Sequence, residues 1–245
     1  MTRKQMLYSA AGLIVAIIVL DGAVSLYRAS DRSSGPLDLS MVSKIRVTGM
    51  ASNIEISANQ EAPYTAELFG ERRGWGAIWH SGWFADGCPS EGSMRIDGDT
   101  LLVDVGEGSR FFDWSDCEMT LSANLRSDAA VMIDQQASRS EIRGDFSVLQ
   151  IRSDAGDVRF TGHAEHLSLS GAALRARLVY DKVRQSEAIA ISGKMLDATV
   201  TFLVPTPVSY AVEAVASYVD SALPNTPGAK PEILIRGEMA RVRIE

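Results

Sequence analysis

Cysteine and histidine are scarce in this chain. Two cysteines, Cys88 and Cys117, and three histidines occur in 245 residues. No cysteine spacing matches a metal cluster, and few groups titrate near neutral pH to serve as general bases. No Gly-x-Ser-x-Gly elbow, P-loop or dinucleotide fingerprint is present. Aromatics make up 7% of the residues and prolines number 8. Positive charge is also short. The formal net charge is -7, and it becomes -9 once residues 1–28, with Arg3, Lys4, Arg28 and Asp21, are set aside. Affinity for phosphate backbones needs a basic surface, so no nucleic-acid partner is expected. Helical periodicity is weak after the first 30 residues.

One long apolar run exists. Arg3 and Lys4 precede Met6–Leu20, Asp21 interrupts, and Gly22–Tyr27 is again mostly apolar. A basic start before such a run is an export signal. Residues 5–27 come close to the ~20 residues that a bilayer span requires. Ala23-Val24-Ser25 also offers a small-x-small cleavage site. Two readings follow for residues 1–30: a single-pass anchor in a bacterial inner membrane, or a cleaved signal peptide that releases the body to the periplasm. The positive-inside rule places the body in the periplasm or extracellular space. Residues 31–41, with Gly35-Pro36, read as a linker. Residues 42–245 read as one exported domain, with a Trp-rich insertion at 71–92.

That domain is rich in short alternating strands. Ile45 and Val47, then Ile54 and Ile56, alternate with polar residues. Met94–Val105 reads as a hairpin turning on Asp97-Gly98-Asp99. The stretch from Gly144 to Val204 holds six short strands, with apolar pairs Leu149/Ile151, Val158/Phe160, Leu167/Leu169, Ala176/Leu178, Ile189/Ile191 and Val200/Phe202. Ile151 to Leu169 is 18 residues and Leu169 to Ile191 is 22. Short strands without alternating helices indicate an all-β fold. The loose repeat indicates a β-solenoid-like stack, whose coils bury their apolar faces on one another. Arg152, Arg159, Arg175 and Arg177 fall on the outward phase and read as a solvated face. Val208–Val219 reads as a strand, because its β-branched and tyrosine residues and flanking prolines disfavour a helix.

The order of elements resembles a widespread bacterial adhesin-like domain of unknown function, also called the GIN-type autotransporter-adhesin head-like domain. The matching features are Ile45–Ile56, the Ile96–Val105 hairpin, Ser153-Asp154-Ala155-Gly156-Asp157-Val158, and Phe202-Leu203-Val204-Pro205 followed by Tyr210-Ala211-Val212. The resemblance spans residues 42–245. It implies an exported or membrane-anchored β-solenoid-like domain, and the family carries no established catalytic residues. Two places depart from the pattern. Glu71–Pro89 is an insertion. The corner before Ala188 carries Gln185, Ser186 and Glu187 where a glycine-containing turn is expected.

All four tryptophans lie near the cysteines: Trp75, Trp79 and Trp83 before Cys88, and Trp114 before Cys117. Phe84, Phe111 and Phe112 join them. Outside the cytoplasm two cysteines normally pair, and a Cys88–Cys117 bond would contribute about 3–4 kcal/mol by loop entropy. Two readings are open for this cluster. It is a small core that caps one end of the stack, or it is a recognition surface, since tryptophan anchors dominate binding hot spots. Trp75, Trp79, Trp83, Trp114, Phe111 and Phe112 are the candidate binding residues. His163 and His166 read as an exposed turn rather than metal ligands. Asp97, Asp99 and Asp104 read as a hairpin turn, and Asp113, Asp116 and Glu118 as a weak cation candidate. No metal site and no cofactor are expected. The leading expectation is a noncatalytic envelope protein presenting a surface to an envelope protein or polysaccharide. The alternative is a carbohydrate-binding or carbohydrate-processing enzyme, using Trp79/Trp83 as a sugar platform and two carboxylates in a cleft.

Overall fold

The computed structural model describes residues 36–72, 92–106 and 117–245. The residues it describes form an all-β fold of ten strands in one mixed sheet. The strands are β1 (Leu37–Asp38), β2 (Lys44–Ser57), β3 (Thr65–Arg72), β4 (Gly92–Asp97), β5 (Thr100–Val105), β6 (Cys117–Asn124), β7 (Ala129–Tyr180), β8 (Ala188–Phe202), β9 (Ser209–Ser221) and β10 (Glu232–Ile244). Among them no helix is long and apolar enough to cross a membrane. Residues 5–27 lie outside the described part of the chain. The packed chain is under way by Leu37, inside the stretch read as linker, and Leu39 is fully buried.

The body of the sheet is a parallel ladder in the order β6-β2-β7-β8-β10-β9. β2 lies on the first part of β7 with Ile45 opposite Val131 and Ile54 opposite Ser140. The last part of β7 lies on β8 with Leu169 opposite Ile191. β8 lies on β10 with Ile191 opposite Ile235, and β10 on β9 with Ile235 opposite Val212. β7 is long because it makes successive passes. Ser147 Oγ reaches the carbonyl of Ala129, 18 residues earlier, and Ser153 Oγ reaches that of Gln136, 17 earlier. Gly144 and Gly162, at φ 114° and 139°, carry the chain between passes. A Cβ on Gly162 would sit 2.1 Å from the Gly144 carbonyl oxygen, so neither the φ nor the spacing admits a side chain there.

Each pass has two arms joined at a corner, and both arms point apolar residues the same way. Ile45 and Val47 serve the first arm of β2, Ile54 and Ile56 the second, and all four are buried. Every member of the apolar set expected between Leu149 and Phe202 is buried as well. Phe160, Tyr180 and Phe202 form an aromatic file: the Phe160 and Tyr180 rings meet edge to face at 5.5 Å, and Tyr180 stacks on Phe202 at 5.5 Å. Such pairs add to the area they bury. Arg152, Arg159, Arg175 and Arg177 point outward and are exposed. Of the stretch Val208–Val219, Ser209–Val219 lies in β9 and Val208 forms an isolated bridge to Asn225.

The two ends of the ladder differ. At the N-terminal end β3 runs antiparallel on β6 and β4 antiparallel on β5, closing the stack, and β1 covers part of β3. The β4–β5 hairpin turns on Gly98-Asp99, with Asp97 opposite Thr100 and Gly98 at φ 61°. Ser43 Oγ and Thr100 Oγ1 donate to the Asp99 carboxylate. These bonds, the Ser43 one foremost, hold its pKa below the usual value. At the C-terminal end, among the described residues, β9 has a neighbour, β10, on one side only.

Two corners answer points raised by the sequence. His163 is buried, not exposed: its Nε2 lies 3.0 Å from Glu187 Oε1, and both residues are shielded from solvent. His166 is exposed in the same strand. The corner at Asp181–Glu187, lacking glycine, is built by other means. Gln185 takes φ 60°, and the Glu187 carboxylate accepts the backbone N–H groups of Arg184 and Ser186. Burial, with the Glu187 charge second, pushes the Tyr180 hydroxyl pKa well up.

Candidate ligand groove

Stacking equal passes turns sequence positions into files that run across the strands. At the corner three files lie side by side. The first holds Ala51, Ala137, Ala155, Ala173, Met195, Met239 and Ala216, aligned through Ala51↔Ala137, Ala173↔Met195, Met195↔Met239 and Met239↔Ala216. The second holds Ser52, Ser138, Gly156, Leu174, Leu196, Ala240 and Ser217. The third holds Asn53, Arg139, Asp157, Arg175, Asp197, Arg241 and Tyr218.

These three files line one open groove of about 1260 Å³. The small residues of the first file leave the space, and its two methionines stand exposed at 52% and 55%. The second file is the floor, where Ser52, Ser138, Leu174, Leu196 and Ala240 are buried. The seven members of each file and the adjoining β6, whose Glu118 and Met119 also line the groove, make eight strands, and at about 4.8 Å per neighbouring strand the groove is about 34 Å long. An extended chain fits that shape.

The third file is charged, with alternating sign: Arg139, Asp157, Arg175, Asp197, Arg241. Arg175 Nε lies 3.6 Å from Asp197 Oδ2, with both side chains about half exposed. At the N-terminal end Asn53 Nδ2 donates to Glu118 Oε1 at 2.5 Å. Neighbouring opposite charges hold one another upright, and an exposed pair of this kind contributes at most about 1 kcal/mol. What the file offers is an ordered row of donors and acceptors along an apolar trough. Ser138 Oγ in the floor and Asp157 Oδ1 beside it are buried with no hydrogen-bond partner among the described residues. Buried polar atoms are normally satisfied, so the floor has unused capacity for a polar ligand.

Trp75, Trp79, Trp83, Phe84 and Cys88 fall in 73–91, and Phe111, Phe112 and Trp114 in 107–116, all outside the described residues. The strands that flank these segments are described. Arg72 pairs with Cys117, Gly92 with Val105, and Val105 with Gly49. These strand ends lie at one corner, beside Glu118 and Met119, which line the groove's N-terminal end. Cys117 opens β6 there. Asp113 and Asp116 also lie outside the described residues.

Among the described residues no group of three or more His, Cys, Asp or Glu is placed to hold a metal ion. The groove residues escaped the reading of the sequence, although a signal existed. Written at the 18-residue period, Ala137-Ser138-Arg139, Ala155-Gly156-Asp157 and Ala173-Leu174-Arg175 fall in register, exposing the alanine file and the change of charge sign.

No family model matches the chain, and no curated protein matches it. Two solved structures are similar in fold. One is a candidate cell adhesion protein from Clostridium sporogenes, 10% identical, covering 86% of this chain and 96% of its own, with a TM-score of 0.44. The other is a candidate adhesin from Bacteroides fragilis, 13% identical, covering 87% of this chain and 99% of its own, with a TM-score of 0.45.

Proposed function

We propose that this chain is a noncatalytic, adhesin-like protein of the bacterial cell envelope. In this reading its body is a β-solenoid-like scaffold, held outside the inner membrane by residues 5–27, that grips an extended envelope polymer or protein segment in the corner groove. The observation that supports it is the groove itself: apolar, about 1260 Å³, and edged by a row of alternating charges. The described strand ends that flank the Trp-rich segments lie beside its end, and tryptophan faces brought there would add stacking to a sugar ring or an extended peptide. Elongated stacked folds present long continuous faces of this kind.

Filling the groove tests the reading. Ala173→Trp places an indole across the trough without touching the inward core. The full chain carrying it should lose at least about tenfold in retention on isolated cell-envelope fractions, a change of about 1.4 kcal/mol, with its melting temperature unchanged. Retention equal to the parent's would move the binding surface elsewhere. The carbohydrate-processing alternative is read in the same experiment, since it predicts release of soluble fragments from the polysaccharide.

A further inference from the structure

The open strand β9, whose Ala216, Ser217 and Tyr218 form the C-terminal end of the groove, carries an inference of its own. Among the described residues its edge is open beyond Tyr210. Ser209–Ser221 contains no proline and no lysine or arginine, the usual devices against edge pairing. Its two acids, Glu213 and Asp220, are already taken by Arg236 and Arg243 of β10, at 2.9 and 3.3 Å. Val215 is 89% exposed and Tyr218 63%.

The backbone groups that face the open side can be read from their partners. Tyr210 faces outward, since Asn225 Oδ1 accepts its N–H and Asn225 Nδ2 donates to its carbonyl. Ala222 N–H faces inward, to the Ile244 carbonyl. Alternation then points Val212 and Ala214 outward on the first arm, and Ser217, Val219 and Ser221 on the second. The phase shifts by one across the corner.

We propose that the occupant of this edge is a second copy of the chain, paired antiparallel about a two-fold axis between Val215 and Ala216. This register sets Val212 opposite Val219 and Ala214 opposite Ser217, each twice. It pairs outward-facing backbone with outward-facing backbone, for about eight hydrogen bonds. Inward side chains meet inward side chains, so Val212 and Val219 continue both cores. Outward, Glu213 faces Tyr218 and Asp220 faces Ala211, so no like charges oppose one another. A shift of one residue breaks the phase match on both arms. The fold already closes its other end in this way, with β3 antiparallel on β6. Asn225, seated on Tyr210, marks where the pairing stops.

The test is the mass of the full chain released from detergent micelles in native mass spectrometry, with the dissociation constant measured by dilution. The parent should be a dimer. Tyr218→Glu sets Glu against Glu213 at two places and should raise the dissociation constant about tenfold. Tyr218→Lys sets a cation there and should hold the dimer at least as well as the parent. Tyr218 is surface-exposed, so both variants should keep the parent's circular dichroism and melting temperature. A monomeric parent at tens of micromolar overturns the proposal and leaves the edge to a foreign strand. A dimer indifferent to Tyr218→Glu overturns it too, by placing the interface elsewhere.

Discussion

Removing the Glu187 carboxylate should be among the most damaging single changes available in the described core. Glu187 is fully buried. Its Oε1 faces His163 Nε2 at 3.0 Å and accepts the Arg184 N–H, and its Oε2 accepts the Ser186 N–H at 3.0 Å. Glu187→Ala strips partners from one imidazole and two backbone donors at once. A buried donor left unsatisfied costs about 1–3 kcal/mol, and here several lose their acceptor together. A loss of about 4 kcal/mol follows, a large share of the roughly 5–15 kcal/mol that holds a domain folded. Glu187→Gln keeps one acceptor and should lose about half as much. The damage should centre on the turn Asp181–Glu187 and the strand it delivers, because Glu232 N–H bonds to the Glu187 carbonyl and Ala188 begins β8. The assay is urea unfolding, with hydrogen exchange to locate the loss. A cost below about 1 kcal/mol for Glu187→Ala would refute the view that this carboxylate builds the corner.

Three further outcomes follow from particular positions. Gln185→Gly relieves a side chain held at φ 60° and should stabilise by about 0.5–1 kcal/mol, after the added entropy of the unfolded chain is subtracted, as read by denaturant midpoint. Tyr180→Phe removes a buried hydroxyl with no hydrogen-bond partner among the described residues and keeps the aromatic file, so thermal unfolding should show no loss of stability. Gly171→Ala would set a Cβ 1.8 Å from the Ser153 carbonyl oxygen, and should cost about 2–3 kcal/mol by forcing neighbouring passes apart.

Much of the architecture was legible because burial imposes a period of two on each arm. Val158/Phe160 and Ile189/Ile191 had to face one way, and they do. The Gly98-Asp99 turn announced its hairpin in the same manner. The His163–Glu187 pair was not legible, since 24 residues separate the partners and only stacking brings them together. Glu187 stood out in the sequence as a departure from a glycine turn. Its reason is the carboxylate, which supplies the acceptors that hold the turn in place of glycine's freedom. The groove was hidden for a related cause. Ala137, Ala155 and Ala173 carry no signal singly, and Arg175 on an outward phase looks like any solvated arginine. Their meaning lies in alignment across passes, which depends on the length of each turn.

The central claim is that the corner groove holds an extended partner, and photocrosslinking tests it most directly. A photoreactive residue placed at Ala155, in the groove, should capture an envelope protein or polysaccharide in intact cells. The same residue at Arg152, on the outer face of the same pass, should capture none. Equal capture from both positions, or capture from Arg152 alone, would contradict the account.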